Sequence, residues 1–226
     1  MTRLTVAAIA VVLAIGIGAG SGAGASPPPA SSSAAAKPLI HKDLIPYPQK
    51  RKREMAAYSK RHYGQHKWRL VNPKVIVIHY AVAGSISSIF NTFRSDQPDV
   101  EFHELPNVCS HYAVSASGAV YKFVPPTIRC RHTVGLNWKA IGVEHVGFSD
   151  QDILGRPAQL NGSLQFVQWL RCRFGIRVNN VIGHNESLSS PFYKELDPRF
   201  KGQTHGDWTH ADMQTYRAGL TRLGAC

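Results

Sequence analysis

The fold is decided by the stretch Val75-Ile76-Val77-Ile78-His79-Tyr80, in which four β-branched residues run directly into a histidine. A continuous run of Val and Ile is typical of a strand that is buried on both faces. A buried strand belongs to the rigid centre of a domain, so the scaffold fixes the side chain at its end. The sequence therefore predicts a core strand that holds His79 in a defined place.

The rest of the chain alternates between strand and helix patterns. Strand patterns cover residues 111–115, 119–124, 140–146 and 178–183. Apolar residues at helical spacing cover residues 84–93 and 160–174, and the pair Thr209 and Asp212 resembles a cap that begins a last helix. This alternation predicts an α/β domain with a central sheet.

Residues 1–25 have the composition of a secretory signal peptide. Arg3 supplies a positive start, residues 4–17 form an apolar stretch, and Ala23-Gly24-Ala25 matches a small-residue cleavage pattern. The apolar stretch is shorter than the ~20 residues that a membrane span needs, although an uncleaved N-terminal anchor is the alternative. We therefore predict a protein that is secreted, extracellular or in a cell wall, with no transmembrane span once mature.

Composition divides the remaining chain into three parts. Residues 26–40 form a linker that is rich in Pro, Ser and Ala and buries too little apolar surface to fold. Residues 41–70 form a basic segment with scattered aromatic residues. Residues 71–226 contain the strand and helix patterns and form the predicted folded domain, which we expect to be monomeric.

The formal net charge of the chain is +12. A strongly basic protein attracts polyanions. For an exported protein, the expected anionic partners are cell-wall polymers or lipids rather than nucleic acid. A basic surface that only aids solubility is the alternative.

All four cysteines lie in the part of the chain that would be exported. An even number in an oxidising compartment predicts two disulfides, for which three pairings are possible. Cys109 and Cys130 flank an apparent hairpin, whereas Cys172 and Cys226 lie on or beside two helices. This arrangement favours pairing within each of those two sets, and the absence of a C-x-x-C pair argues against a thiolate zinc cluster.

Two histidines and a glutamate occur where apolar strands would hold them. His79 ends one strand, His184 ends another, and Glu144 lies inside the apolar run AIGVEHV. A catalytic zinc ion needs three protein ligands and an open position for water. A buried carboxylate is costly unless it is paired or functional, so Glu144 is either a structural ion-pair partner or a general base beside a metal.

Five segments occur in the order found in a known family. They are IVIHY at His79, SHYAVSASGAVYKFVP from Ser110, RHTVG at His132, NWKAIGVE at Glu144 and VIGHNE at His184. Together they resemble the type-2 N-acetylmuramoyl-L-alanine amidases. That group includes phage lysozyme-type amidases, a muropeptide-recycling amidase and the peptidoglycan recognition proteins. The resemblance extends from about Val75 to the C-terminus.

The resemblance implies a single α/β domain with a central mixed β-sheet flanked by helices and a zinc cleft on one face. By motif, His79 and His184 match two zinc ligands, and Glu144 matches the catalytic acid–base residue. His132 would line the substrate groove. His111, in the segment that begins at Ser110, is expected to be structural.

The family's third ligand is an Asp or Cys on the loop after the second histidine, often with a Lys two residues earlier. In this chain, Asp197 is followed by Pro198, as in the family pattern, but one extra residue separates it from Lys194. His205 keeps the two-residue spacing if Gln203 replaces the lysine. We predict His205 as the third ligand, with Asp197 as the alternative and with Lys194 and Gln203 as candidate substrate-binding residues.

The function that this resemblance implies is a secreted, zinc-dependent amidase. It would hydrolyse the amide between N-acetylmuramic acid and L-alanine in bacterial peptidoglycan. A peptidoglycan-binding protein on the same fold, without catalysis, is the alternative. A basic wall- or nucleic-acid-binding protein with incidental histidines is a third possibility.

Overall fold

The structure is a computed structural model that describes residues 36–226. The proposed signal peptide and most of the proposed linker lie outside the described residues. Within residues 36–226, no helix is both long and apolar enough to cross a membrane.

A six-stranded mixed sheet forms the centre of the domain, as predicted. Its strands are β1 (Ile40–Lys42), β2 (Val75–Ile78), β3 (Tyr112–Val114), β4 (Val120–Lys122), β5 (Ala140–His145) and β6 (Val181–Gly183), in the order β1-β4-β3-β5-β2-β6. Only the β3–β4 hairpin is antiparallel; the other neighbouring strands run parallel. The parallel centre explains why β2 and β5 are apolar on both faces.

Five helices flank the sheet. They are α1 (Gln49–Tyr63), α2 (Ile86–Arg94), α3 (Asp150–Leu154), α4 (Pro157–Phe174) and α5 (His210–Arg222), with 3₁₀ turns at Val178–Asn180 and His184–Ser189. Helix α4 ends at Gly175, whose φ of +63° lies in the left-handed region. The Thr209 side chain accepts a hydrogen bond from the Asp212 backbone N–H at the start of α5, so the predicted cap is confirmed.

The core lies on both faces of the sheet. Ile76 and Ile78 of β2 point into the larger cluster, which the side chains of α4 and α5 complete, while Val75 and Val77 point into a smaller cluster on the other face. All four are fully buried. Because each buried Val or Ile contributes ~1.5–3 kcal/mol, this strand is a rigid support for the residue that follows it.

Two disulfides join the pairs that the sequence favoured, Cys109–Cys130 and Cys172–Cys226. The first closes a loop within the hairpin region, and the second joins α4 to the C-terminal residue across a sequence separation of 54. In the chain-entropy model, closing loops of this size stabilises the fold by ~3–4 kcal/mol each.

The basic segment 41–70 is part of the folded domain, which corrects the predicted boundary near residue 71. Strand β1 pairs with β4 at the edge of the sheet. The Arg51 side chain of α1 is fully buried and donates hydrogen bonds to the carbonyl oxygens of Phe93 (2.9 Å) and Asn107 (3.2 Å). The folded domain therefore includes β1 and α1, because strand pairing holds β1 and buried hydrogen bonds hold α1 against the rest of the domain.

A buried histidine locks the end of α1 to two loops. His62 is fully buried, with its Nδ1 2.9 Å from a carboxylate oxygen of Glu195 and its Nε2 2.9 Å from one of Glu104. Burial alone would lower the pKa of His62, but hydrogen bonds to the two carboxylates raise it overall. When protonated, the ring donates through both nitrogens, and the imidazolium offsets part of the negative charge of the two acids that are buried with it.

Replacing His62 is expected to destabilise the fold strongly. His62→Ala removes the partner of Glu195 and one of the cations beside Glu104, which also lies 3.4 Å from Arg61, and breaking a buried ion pair from one side costs ~3–5 kcal/mol. Urea denaturation at pH 6 should show this loss in the free energy of unfolding. His66→Ala is the matched control, because His66 is exposed just beyond α1. An equal loss in the free energy of unfolding for both variants would show that the contacts of His62 do not stabilise the fold.

The contacts of His62 with Glu104 and Glu195 also predict that the stability of the fold depends on pH. The raised pKa of His62 means that its contribution is complete below the unfolded value of ~6.5 and is lost as pH rises through the folded pKa. The pKa of Glu104 is lowered despite burial, by its hydrogen bond to His62, so its contribution is present above ~4.3 and is lost as pH falls. The stability difference between wild type and His62→Ala should be largest at about pH 4.5–6.5 and shrink on both sides.

Candidate metal centre

The predicted site residues lie at the carboxyl ends of three neighbouring parallel strands, β2, β5 and β6. Ile78 of β2 is in register with Val143 of β5 and with Gly183 of β6. His79, Glu144 and His184 each follow one of these paired residues. The strand register therefore brings the three side chains together, as the sequence predicted.

Asp207 completes the cluster. Its two carboxylate oxygens lie 3.1 Å from Nδ1 of His79 and 3.2 Å from Nδ1 of His184. The three residues are buried, and their potential ligand atoms all lie within 4.8 Å of one another. Two imidazoles and one carboxylate thus converge on one point.

The structure does not bring His205 or Asp197 into this cluster, so the expected convergence of His205 is corrected. The His205 side chain is 45% exposed, stacks on the His184 ring at 4.7 Å, and approaches the Glu101 carboxylate at 3.2 Å. Asp197 pairs with Arg199 instead. The loop turns after His205, so the residue two positions later points inward.

Asp207 was not among the predicted site residues, although the sequence contains a signal for it. His205 and Asp207 have the two-residue spacing that the family shows between its lysine and its third ligand. Read in that register, His205 stands at the lysine position and Asp207 at the ligand position. The prediction applied this spacing to Gln203 and His205, which lie two residues earlier in the chain.

Burial and hydrogen bonds set the protonation of the cluster. Burial lowers the pKa of His79 to about 4, so its imidazole is neutral near pH 7. Burial alone would raise the pKa of Asp207, but hydrogen bonds from His184 and His79 hold it well below its usual range. A neutral imidazole and an ionised carboxylate are the forms that bind a metal.

This donor set fits zinc. With ligand distances of ~2.0–2.2 Å, two ligands of a tetrahedral zinc ion lie roughly 3.3–3.6 Å apart. The two nitrogen–oxygen separations of 3.1 and 3.2 Å are close to that spacing. A cation would also replace the two hydrogen bonds that now join the imidazoles to Asp207.

Glu144 lies beside the cluster as an unpaired acid. It is 8% exposed, and its Oε2 atom is buried without a hydrogen-bond partner. Burial, and then the negative charge of Asp207, raise the pKa of Glu144 to about 8. No arginine approaches it among the described residues, so the interpretation as a structural ion pair has no support. Its position instead suits proton transfer at the metal.

His132 supports the cluster from behind. Its Nδ1 lies 3.2 Å from Nε2 of His79, so it can accept a proton from that nitrogen when Nδ1 of His79 binds a metal instead of donating to Asp207. Gly142 makes room for it, because a Cβ at that position would lie 2.7 Å from the His132 ring. His111 is structural, as expected: Nδ1 accepts from the Gly142 backbone N–H, and Nε2 donates to the Ile128 carbonyl.

A cavity of about 350 Å³ opens onto the cluster. His132, Gln203 and His205 line it, together with Tyr58 from α1, so the N-terminal helix contributes to its wall. Lys194 lies outside the lining, and its backbone N–H donates to the Gly135 carbonyl. Of the two candidate substrate-binding residues on this loop, the structure brings only Gln203 to the cavity.

Comparison with known families agrees with this geometry. The family model described as N-acetylmuramoyl-L-alanine amidase matches residues 69–200, more than half of the chain. The chain belongs to the N-acetylmuramoyl-L-alanine amidase family. The matched residues include His79, Glu144 and His184 but end before Asp207. A comparison with curated protein sequences gives no match to this amidase.

Solved amidase structures resemble this chain at low sequence identity, and one of them, with a TM-score above 0.5, shows the same fold. The amidase LysC from Clostridium intestinale URNW is 14% identical, with a TM-score of 0.52, over 82% of this chain and 99% of LysC. The endolysin LysCS from the same organism is 17% identical over 63% and 79%, with a TM-score of 0.42. A mutant endolysin from Bacillus subtilis is 15% identical over 80% and 98%, with a TM-score of 0.49.

Proposed function

We propose that this chain is a zinc-dependent N-acetylmuramoyl-L-alanine amidase. It hydrolyses the amide bond that joins N-acetylmuramic acid to L-alanine in bacterial peptidoglycan. The observation that carries the proposal is the convergence of two imidazole nitrogens and a carboxylate at His79, His184 and Asp207, beside the unpaired Glu144. A peptidoglycan-binding role without catalysis would not need Glu144 to stay unpaired and buried.

His79, His184 and Asp207 would hold the zinc ion. A bound zinc ion polarises a carbonyl oxygen and lowers the pKa of coordinated water toward ~7. His132 keeps His79 oriented through the contact between Nδ1 and Nε2. With that contact in place, Nδ1 of His79 would face the metal while Nε2 faces His132.

Glu144 would transfer the proton. A cation held by its neighbours favours the ionised form of Glu144, because opposite charge stabilises the carboxylate. The carboxylate would then accept a proton from water as the water oxygen bonds to the amide carbonyl carbon, and deliver that proton to the amide nitrogen as the carbon–nitrogen bond breaks. Burial keeps other water from competing for this proton.

The cavity would bind the muropeptide. Its aromatic and amide side chains, which include Tyr58 and Gln203, suit a substrate made of sugar and peptide. His132 and Gln203 remain proposed substrate-binding residues, and His205 joins them because it lines the same wall.

Export is part of the proposal. Two disulfides are compatible with an oxidising compartment, and peptidoglycan lies outside the cytoplasm. The signal peptide proposed for residues 1–25 would deliver the enzyme there.

Digestion of purified peptidoglycan tests the proposed function. Hydrolysis should release stem peptides with a free L-alanine amino group, seen by mass spectrometry. A chelator should abolish release, and added zinc should restore it. Full activity in metal-free protein would overturn the zinc mechanism, whereas zinc-dependent binding without new amino termini would indicate a recognition protein.

The basic helix α1 is proposed to add affinity for anionic cell-wall polymers. Arg53 and Lys60 are exposed on it, and exposed charges act over ~8 Å at physiological salt. The variant Arg53→Gln/Lys60→Gln should bind intact walls several-fold more weakly in a sedimentation assay at low salt. The difference should vanish near 1 M salt, where screening falls to ~3 Å.

A variant with the same charge change elsewhere is the control for this wall-binding test. Arg177→Gln/Arg222→Gln removes two exposed cations outside α1. If the control weakens wall binding as much as the α1 variant does, overall charge rather than α1 determines the affinity.

A further inference from the structure

Asp207 is carried by a strained turn. Trp208, the next residue, has a φ of +59°, which is in the left-handed region that non-glycine residues rarely adopt. Such a conformation is unfavourable for a residue with a side chain and persists only where surrounding contacts impose it. The Trp208 side chain is fully buried, so the turn is also anchored in the core.

The carboxylate of Asp150 holds this turn from one side. Its Oδ1 accepts a hydrogen bond from the Trp208 backbone N–H at 2.8 Å, and its Oδ2 accepts one from the Thr209 N–H at 2.9 Å. Asp150 is 4% exposed and begins α3, five residues after the end of β5. It therefore links the strand that bears Glu144 to the turn that bears Asp207.

Strand β6 and the residues after it hold the turn from the other side. The Asn185 backbone N–H donates to the Asp207 carbonyl at 3.0 Å. Gly183 lies so close that a Cβ there would be 2.1 Å from the Trp208 carbonyl oxygen. Only glycine lets the turn approach near enough for the Asp207 side chain to reach between the two histidines.

We propose that Asp150 is a positioning residue for the zinc site and that it acts through Asp207. It is no ligand itself, because both of its oxygens are used by backbone N–H groups on the far side of the turn. Its carboxylate imposes the left-handed conformation at Trp208, and that conformation aims the preceding side chain at His79 and His184. The inference rests on the proposed function for the identity of the metal.

Only a carboxylate can accept hydrogen bonds from the Trp208 and Thr209 N–H groups with a separate oxygen for each. It accepts two N–H donors at once with two oxygens, whereas an asparagine amide offers one oxygen and presents its NH₂ group to the second donor. Asp150→Asn therefore keeps the size of the side chain but breaks one of the two contacts. Changes behind a metal ligand typically lower metal affinity 10–100-fold, and we expect a loss of that order.

The test measures zinc affinity by competition with a chromophoric chelator, independently of hydrolysis. Four proteins are compared: wild type, Asp150→Asn, Asp207→Ala and the double variant. Asp152→Asn is the control, since Asp152 lies on the same short helix and contacts the Phe148 N–H rather than the turn. Circular dichroism of the metal-free proteins confirms that each is folded.

The proposal requires weaker zinc binding in Asp150→Asn, near wild-type binding in Asp152→Asn, and no further loss when Asp150→Asn is added to Asp207→Ala. Wild-type affinity in Asp150→Asn overturns it. So does a full additional loss in the double variant, because Asp150 would then act on the site by another route. If Asp207→Ala itself keeps wild-type affinity, the proposed metal site fails instead, and the two failures are distinguishable.

If Asp150→Asn does not fold, Gly183→Ala tests the same turn from the opposite side. The added Cβ displaces the Trp208 carbonyl, so zinc affinity should fall while the strand pairing of β6 remains. Unchanged zinc affinity in a folded Gly183→Ala protein would overturn the view that the turn positions Asp207.

Discussion

Asp207→Ala is expected to lose tight zinc binding and hydrolysis together. The substitution removes the only carboxylate that lies within hydrogen-bonding distance of both His79 and His184 among the described residues. Two imidazoles alone leave the metal with too few protein ligands. Zinc affinity should fall by more than ~100-fold, the upper end for changes that only disturb a ligand.

His205→Ala and Asp197→Ala are the comparisons for this prediction. His205 contacts the ring face of His184 and the Glu101 carboxylate, and Asp197 pairs with Arg199. Both variants should keep zinc within a few-fold of wild type, as measured by metal analysis after dialysis against a weak chelator. Loss of zinc in His205→Ala with retention in Asp207→Ala would restore the ligand assignment that the sequence favoured.

Glu144→Gln is expected to lower the rate of hydrolysis by ~10²–10⁴ while zinc content stays at the wild-type level. The amide keeps the size of the side chain but accepts no proton, and general acid–base catalysis contributes a factor of this order. Because Oε2 has no hydrogen-bond partner among residues 36–226, the substitution breaks no hydrogen bond at that atom within this part of the chain. The folded protein should therefore be as stable as wild type, or more so.

Glu101→Gln is the matched control for Glu144→Gln. It makes the same chemical change at an exposed carboxylate on the wall of the same cavity. Rates are compared on soluble muropeptides, so that wall binding does not enter. Wild-type turnover in Glu144→Gln would show that Glu144 is only a buried structural acid.

The sequence predicted the site residues that lie on strands or directly after them. The runs before His79 and His184, and the run around Glu144, are short, apolar and β-branched, so their burial follows from composition alone. In a parallel sheet, polar residues that end neighbouring buried strands lie together at the carboxyl ends of those strands. For this reason the strand positions of His79, His184 and Glu144 could be predicted without knowing any contact, while their proposed roles came from the resemblance to the family.

The proposed third ligand, Asp207, lies on a loop, and residue spacing alone does not predict the conformation of a loop. The direction in which Asp207 points is set by the conformation of Trp208, by Asp150 and by Gly183, which lie far apart in the sequence. Helix α1 was missed for another reason. It lies in the basic segment that the sequence placed ahead of the folded domain, but Arg51 and His62 are buried because their partners, backbone carbonyls and two acids, come from remote loops.

The pairing of β1 with β4 has a consequence for how the domain can be dissected. A chain that begins at Arg69, where the family match starts, would lack both β1 and α1. The backbone N–H and C=O groups of β4 that β1 now covers would face water as an open sheet edge, ready to pair with another molecule. Such a fragment would aggregate rather than report on catalysis, so the smallest useful enzyme unit includes β1.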